Sequence, residues 1–233
     1  MHIPDGYLSP STCAVMYTAS APFWYWSAKK VKKNLTGKMV PLLSIFSAFS
    51  FVIMMFNVPV PGGTTAHAVG GTLMAIVLGP WAATIGVSIA LLVQAIFFGD
   101  GGILALGANC FNMAIVLPFV GYFIYRAVGR NAVAGSTRHW LAIALGSYAG
   151  INAAALCAAI ELGIQPLLFH TAGGTPLYCP YSLSQTIPAM MLAHLTIAGI
   201  AEVVATEGVL AFARRSIPLW PQPGFNKGEE VRL

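Results

Sequence analysis

The sequence predicts an all-α membrane protein of seven transmembrane helices, with the N-terminus outside and the C-terminus in the cytoplasm. Three observations carry that prediction. Hydrophobic residues make up 57% of the 233-residue chain and charged residues only 8%, with a mean hydropathy of +0.75. Seven stretches approach the length of about 20 mostly apolar residues that a spanning helix needs. The 12 Lys and Arg residues all fall in places that share one side of the membrane. A soluble domain carries about 25% charged residues, and no soluble surface can be covered with the few present here. A cytosolic enzyme, a disordered tail and a nucleic-acid binder are excluded.

In order along the chain, the spans fall at residues 13–28, 39–58, 65–78, 81–98, 108–125, 140–163 and 186–213. The first is short and holds Pro22. The third and fourth are divided only by Gly79-Pro80, a tight turn, because proline cannot continue a helix and restricts the residue before it. Lys29, Lys30, Lys32, Lys33 and Lys38 lie between the first and second spans. Arg126, Arg130 and Arg138 lie between the fifth and sixth, and Arg214, Arg215, Lys227 and Arg232 follow the seventh. With the N-terminus outside, this obeys the positive-inside rule without exception; a count of six helices would break it.

The opening MHIPDGYLSP has no positive segment, and the lysine cluster follows the first apolar stretch. A cleavable signal peptide has the opposite order, so the mature N-terminus is expected near Met1. Residues 1–215 read as a single transmembrane domain with an extracellular N-terminal loop. Residues 216–233, rich in proline and charge, read as a poorly ordered cytoplasmic tail. No repeat suggests an inverted-repeat transporter. Cys13, Cys110, Cys157 and Cys179 sit singly with no CxxC spacing, which indicates neither a zinc site nor a disulfide scaffold.

That topology gathers polar residues on the outer side. MHIPDG, the loop 59–64 leading to His67, the segment GDGGILALGANCFNM at 99–113, and the loop 164–185 with His170 all lie there. Glycines permit tight turns and close backbone approach, as a small dry pocket requires, although each loop alone also reads as an ordinary turn. Met1-His2 is the sharper feature. A free α-amine, the next amide nitrogen and the His2 Nδ1 can close a five-membered and then a six-membered chelate ring on one metal. Planar nitrogen donors suit Ni(II) or Cu(II), and His67, on the same side, can supply the fourth. A histidine at position 2 alone reads as a chance exposed side chain; the second histidine and the turn-forming Pro4-Asp5-Gly6 give it meaning. Asp100, Asn109 and Thr65 are candidates for groups behind the ligands that orient the His67 ring or the N-terminal loop.

The remaining polar residues have blander readings. His139 sits at headgroup level beside Arg138, and His170 reads as solvated. His194 lies inside the seventh span, where an ionisable group is a functional candidate by default and a hydrogen-bonded structural histidine is the competing reading. Glu202 and Glu207 need partners, and Glu161 can lend the pocket negative charge. Gln94, Asn109, Asn112 and Asn152 resemble helix–helix glue. The nine methionines are scattered and read as packing. Small residues at Ala66, Gly70, Gly71 and Ala75, and at Gly146, Gly150 and Ala154, allow close helix contact.

MHIPDGYL, GGTTAHAVGG at 62–71 and GDGGILALGANCFNM at 99–113 make the sequence resemble the cobalt/nickel substrate-binding subunit (S-component) of energy-coupling-factor transporters, the CbiM/NikM type. The resemblance covers essentially the whole chain. It implies a helical S-component with six core helices and an extra N-terminal one, and Ni²⁺ or Co²⁺ as the transported substrate. It implies a plane of four nitrogens: the Met1 amine, the His2 amide and imidazole, and the His67 imidazole. It further implies a membrane scaffold (T) subunit, two cytoplasmic ATPases, a small accessory membrane subunit, and residence in a prokaryotic plasma membrane. The chain has no GxxxxGK[ST] loop of its own, so it reads as a transport subunit and not an enzyme. The competing reading is a vitamin-type S-component or an integral membrane enzyme, with His67 and Asp100 in polar recognition. No nucleophile–base pair stands out, and Phe23, Trp24, Tyr25 and Trp26 cluster near the inner end of the first span and not around the outer pocket.

Overall fold

The structure, a computed structural model, describes residues 1–34, 39–60 and 64–216. Among them are helices at each of the seven places the sequence marks: α1 (Pro10–Asn34), α2 (Met39–Met54), α3 (Gly71–Leu78), α4 (Pro80–Phe98), α5 (Leu106–Val128), α6 (Thr137–Leu168) and α7 (Leu183–Ser216). The last four are long and apolar enough to cross a membrane, and α2 is a shorter apolar helix.

Local chemistry sets the boundaries. The Ser9 hydroxyl accepts from the Thr12 amide ahead of Pro10, a capped start with proline where its missing N–H costs nothing. The helix then runs through Pro22 without ending. Ser182 and Gln185 form a reciprocal capping box for α7. Gly79, at φ 85°, makes the tight α3–α4 turn, and Pro80 restarts the helix as its first residue.

The expected third span is a different object. Thr64–Ala66 is a strand (β2) paired antiparallel with Val58–Val60 (β1), with Pro59 opposite Thr65. Residues 67–70 are irregular, and α3 has only eight residues, about 12 Å at 1.5 Å per residue. It cannot cross a bilayer alone. Likewise α2 stops at Met54, short of the expected residue 58. The β-branched residues and Pro59 favour extended backbone over helix, and Gly70 takes a left-handed φ of 74° before α3 begins. This hairpin is the departure from an all-α fold. Lys38, residues 61–63 of the expected 59–64 loop, and the tail with Lys227 and Arg232 lie outside the described residues.

Small residues set the packing. A Cβ at Gly146 would stand 2.6 Å from the Gly121 carbonyl oxygen, and one at Gly150 would stand 2.7 Å from that of Leu117. Those glycines bring α6 against α5. At one end of the bundle the N-terminal segment is covered: Cys179 donates its amide to Tyr7 O, and Ser9 donates its amide to Gln165 Oε1. At the other end Lys30 stands 4.3 Å over the Trp81 ring, and the Arg138 Nε donates to Val128 O.

Candidate metal centre

The N-terminal segment enters the bundle instead of lying on it. Met1 is 2% exposed and Ile3 1%. Its backbone is stitched to residues 101–109. Asn109 accepts from the Ile3 amide at 2.8 Å and donates back to the Ile3 carbonyl at 3.0 Å, while the Gly102 amide also donates to Ile3 O. Asp5 accepts from the amides of Ile103 and Ala105, just before α5. A Cβ at Gly102 would collide with Asp5, so glycine is required there for the two segments to meet.

This brings four of the candidate residues together, Met1, His2, Thr65 and His67. The Met1 amine donates to Thr65 O at 2.9 Å, lies 3.4 Å from Thr65 Oγ1, and stands 3.3 Å from His67 Nε2. The His2 and His67 rings stack with centroids 4.8 Å apart. His67 Nδ1 lies 3.1 Å from Ala68 O; an imidazole nitrogen facing a carbonyl carries the proton, so the Nε2 lone pair faces the amine. His2 is fixed in the complementary sense. Its Nε2 lies 3.1 Å from Gln94 Oε1, while the Gln94 amide nitrogen is committed to Phe51 O and Met55 Sδ. The His2 proton therefore sits on Nε2, and Nδ1 keeps its lone pair. That Nδ1 is buried without a hydrogen-bond partner, 3.5 Å from Asp100 Oδ1.

Two nitrogens each about 2.0–2.1 Å from one metal, and at right angles to one another, stand about 3 Å apart. The 3.3 Å between Met1 N and His67 Nε2 is close to that spacing. Among the described residues, no group of three or more His, Cys, Asp or Glu side chains is able to hold a metal. The Met1 amine and the His2 amide add main-chain nitrogens beside the two imidazoles.

Electrostatics favour the unprotonated donors. Burial lowers the Met1 amine from 8.0 to about 5, with Asp100 opposing the shift. Burial, then the neighbouring amine, lowers His2 to about 3. Asp100 is raised by burial, against the pull of the amine and of Asn57; its side chain is 27% exposed, so it stands at the open edge.

The structure places Thr65 and Asn109 against the N-terminal segment. Asp100 stands beside His2 and not beside His67. Two residues with other readings belong here as well. Gln94, read as helix glue, fixes the His2 tautomer. Glu202, which has no basic partner in helix register, accepts from the amides of Val69 and Gly70 at 2.7 and 2.9 Å, and so holds the turn that carries His67. Irregular backbone at membrane depth is tolerated where protein satisfies it, and Glu202 does so here. Glu161 is paired with Asn112 at 2.8 Å, and His170 bonds its own loop.

The chain is similar to known transport proteins along most of its length. A family model described as a cobalt uptake substrate-specific transmembrane region matches residues 2–220. It is 59% identical over 218 residues to a fused nickel transport protein, NikMN, of Rhodobacter capsulatus, spanning 94% of this chain and 63% of that one. It is 55% identical to a probable fused nickel transport protein, LarMN, of Lactiplantibacillus plantarum, spanning 94% and 66%. A putative metal transport protein of Methanocaldococcus jannaschii is 52% identical, with 94% and 93% covered. The chain thus spans about two thirds of its fused relatives and nearly all of the unfused one. A crystal structure of a truncated transition metal transporter superimposes with a TM-score of 0.88 at 61% identity, covering 92% of this chain and 99% of that one.

Proposed function

Because the chain belongs to the CbiM family of cobalt-uptake transmembrane regions, we propose that it is the metal-binding S-component of an energy-coupling-factor importer, taking up Ni²⁺ or Co²⁺ as cargo. The observation that carries this reading is the pair of fixed tautomers. Gln94 and Ala68 hold the protons of His2 and His67 on the far nitrogens, which leaves His2 Nδ1 and His67 Nε2 as lone pairs around the Met1 amine. With the His2 amide deprotonated on binding, the set becomes four coplanar nitrogens on one ion. Tetragonal nitrogen sites suit Ni(II), accept Co(II) and bind Cu(II) by the general affinity order; Zn(II) prefers a tetrahedron.

The transport setting follows the same reading. Seven membrane crossings, the third made by α3 together with the irregular residues 67–70 ahead of it, with the N-terminus outside and the C-terminus inside, put the chelate on the outer face of a prokaryotic plasma membrane and the basic residues in the cytoplasm. The metal is captured there and delivered inward with a scaffold subunit, two cytoplasmic ATPases that hydrolyse the ATP, and a small accessory membrane subunit. The fused relatives, whose printed names join two components, support a partner of the accessory kind. The protein itself performs no catalysis.

The test is direct. The full chain, purified by a C-terminal tag without a chelating resin and then given nickel or cobalt, should hold one ion per chain by elemental analysis. A chain that takes up neither ion, or that arrives with a bound organic ligand in the same pocket, overturns the reading.

A further inference from the structure

Asp100 stands where the solvent meets the buried donors. Its Oδ1 lies 3.5 Å from His2 Nδ1, and its side chain is 27% exposed where that of His2 is 4%. Met1 and His67 are each 2% exposed. The contact has no structural bond in it. The His2 proton is on Nε2, towards Gln94, so the carboxylate oxygen faces a ring lone pair with no hydrogen between them. The buried Nδ1 has no hydrogen-bond partner at all. Two acceptors held against one another cost free energy, and the arrangement calls for a cation.

The backbone holds Asp100 in that place. Gln94–Phe98 closes α4 as a π-helical turn, a rare form that occurs often at functional sites. Gln94 opens the turn with its side chain on His2 Nε2, and its carbonyl accepts the Asp100 amide at 3.2 Å. Gly99 and Gly101, on either side of Asp100, take φ of 65° and 84°, which glycine allows without strain. One turn thus governs both nitrogens of the His2 ring, Gln94 the protonated one and Asp100 the free one. Asn57, between α2 and β1, hydrogen-bonds the same carboxylate.

A hydrated ion cannot meet four buried nitrogens at once. It needs a first ligand that water already reaches, and a carboxylate at the mouth of a cleft also attracts a divalent cation. One ion with bonds of about 2.0–2.2 Å to each atom can span the 3.5 Å between Asp100 Oδ1 and His2 Nδ1. We propose that Asp100 is the capture ligand, which takes the cargo ion from water and hands it to His2 Nδ1 at the edge of the chelate. One metal–water bond breaks as the metal–Oδ1 bond forms, and a second breaks as the metal–Nδ1 bond forms. The Met1 amine, His67 Nε2 and the His2 amide nitrogen then displace the remaining waters and Asp100. The amide proton leaves to water, and no electron changes hands. This proposal rests on the chelate described above.

The experiment follows nickel loading of the full chain in real time with a colorimetric indicator of free nickel. It compares the wild type, Asp100→Asn and Asp100→Glu at low and high salt. Asp100→Asn keeps the shape without the charge, so loading should slow by about tenfold or more and lose its dependence on salt. Release to excess EDTA should slow by the same factor, since the ion leaves past the same ligand, and the affinity should stay unchanged. Asp100→Glu keeps the carboxylate and should load at close to the wild-type rate. A residue that only orients His2 would give the opposite pattern, with wild-type loading and faster release. Wild-type loading in Asp100→Asn overturns the proposal, and so does equal slowing in Asp100→Asn and Asp100→Glu. An Asp100→Asn chain that binds no nickel overturns it as well, since Asp100 would then belong to the equilibrium site. If the wild type itself holds no nickel, the chelate fails and this proposal with it.

Discussion

Each imidazole at the centre has one nitrogen committed and one left free, and that division governs what single substitutions do. Replacing His67 with Ala removes one of four donors and should weaken nickel binding by orders of magnitude, read by titration calorimetry; equal affinity would remove His67 from the site. Gln94→Leu leaves every donor in place but frees the His2 tautomer, so the loss should be smaller, about 10–100-fold, as for other groups that orient ligands. A Gln94→Leu chain with wild-type affinity would reduce Gln94 to helix packing. The lowered amine has a consequence in acid. Its folded value of about 5 lies below the ordinary 8.0, so between those limits the unfolded chain binds the extra proton and the metal-free fold loses stability as pH falls. In the folded chain nickel displaces only the amide proton until pH nears 5, and the fall of affinity with acid should steepen only below that point. A peptide of the first six residues should steepen near 8. Identical profiles for protein and peptide would contradict the buried amine.

At the level of elements, close helix approach sets the frame on which the centre is mounted. A Gly146→Val side chain meets the Gly121 carbonyl oxygen, which is backbone and cannot swing aside. The loss should reach or exceed the ~1–3 kcal/mol of ordinary overpacking, read as a lower thermal midpoint in detergent. Gly208→Ala, with nothing near its added Cβ and a better helix former in place of glycine, should not lower the midpoint; an equal loss in both variants would remove the packing argument. Most of this frame is legible in the sequence, because long apolar runs, Gly79-Pro80 and the Gly146/Gly150 stripe each have one dominant physical meaning. The hairpin and the shortened α3 are not, because an apolar run of that length fits a buried irregular segment as well as a helix. The proposed donors Met1, His2 and His67, which the fold brings together, are legible as candidate chemistry. Gln94 and Glu202 are not, since a lone polar residue on an apolar helix looks the same whether it glues two helices or aims a ligand. Only the fold brings Gln94 within 3.1 Å of His2 and Glu202 within 2.7 Å of the Val69 amide.

For the whole molecule, the central claim is that the chain's own first atom is part of the binding site. The Met1 amine is buried beneath the covered end of the bundle, between Thr65 and His67, with Ile3 clamped by Asn109. An added residue turns that amine into an amide, a donor far harder to deprotonate, and it also needs room that the closed end does not provide. A tag at the other terminus leaves the Met1 amine, His2 and His67 chemically unchanged. The most direct measurement is therefore nickel binding by two chains that differ only in one or two residues placed before Met1, both purified by a C-terminal tag. The chelate predicts one tightly held nickel in the unextended chain and loss of high-affinity binding in the extended one, with every side chain unchanged. If the extended chain holds nickel as tightly as the unextended one, the Met1 amine is not a ligand, and His67 binds metal with other side chains.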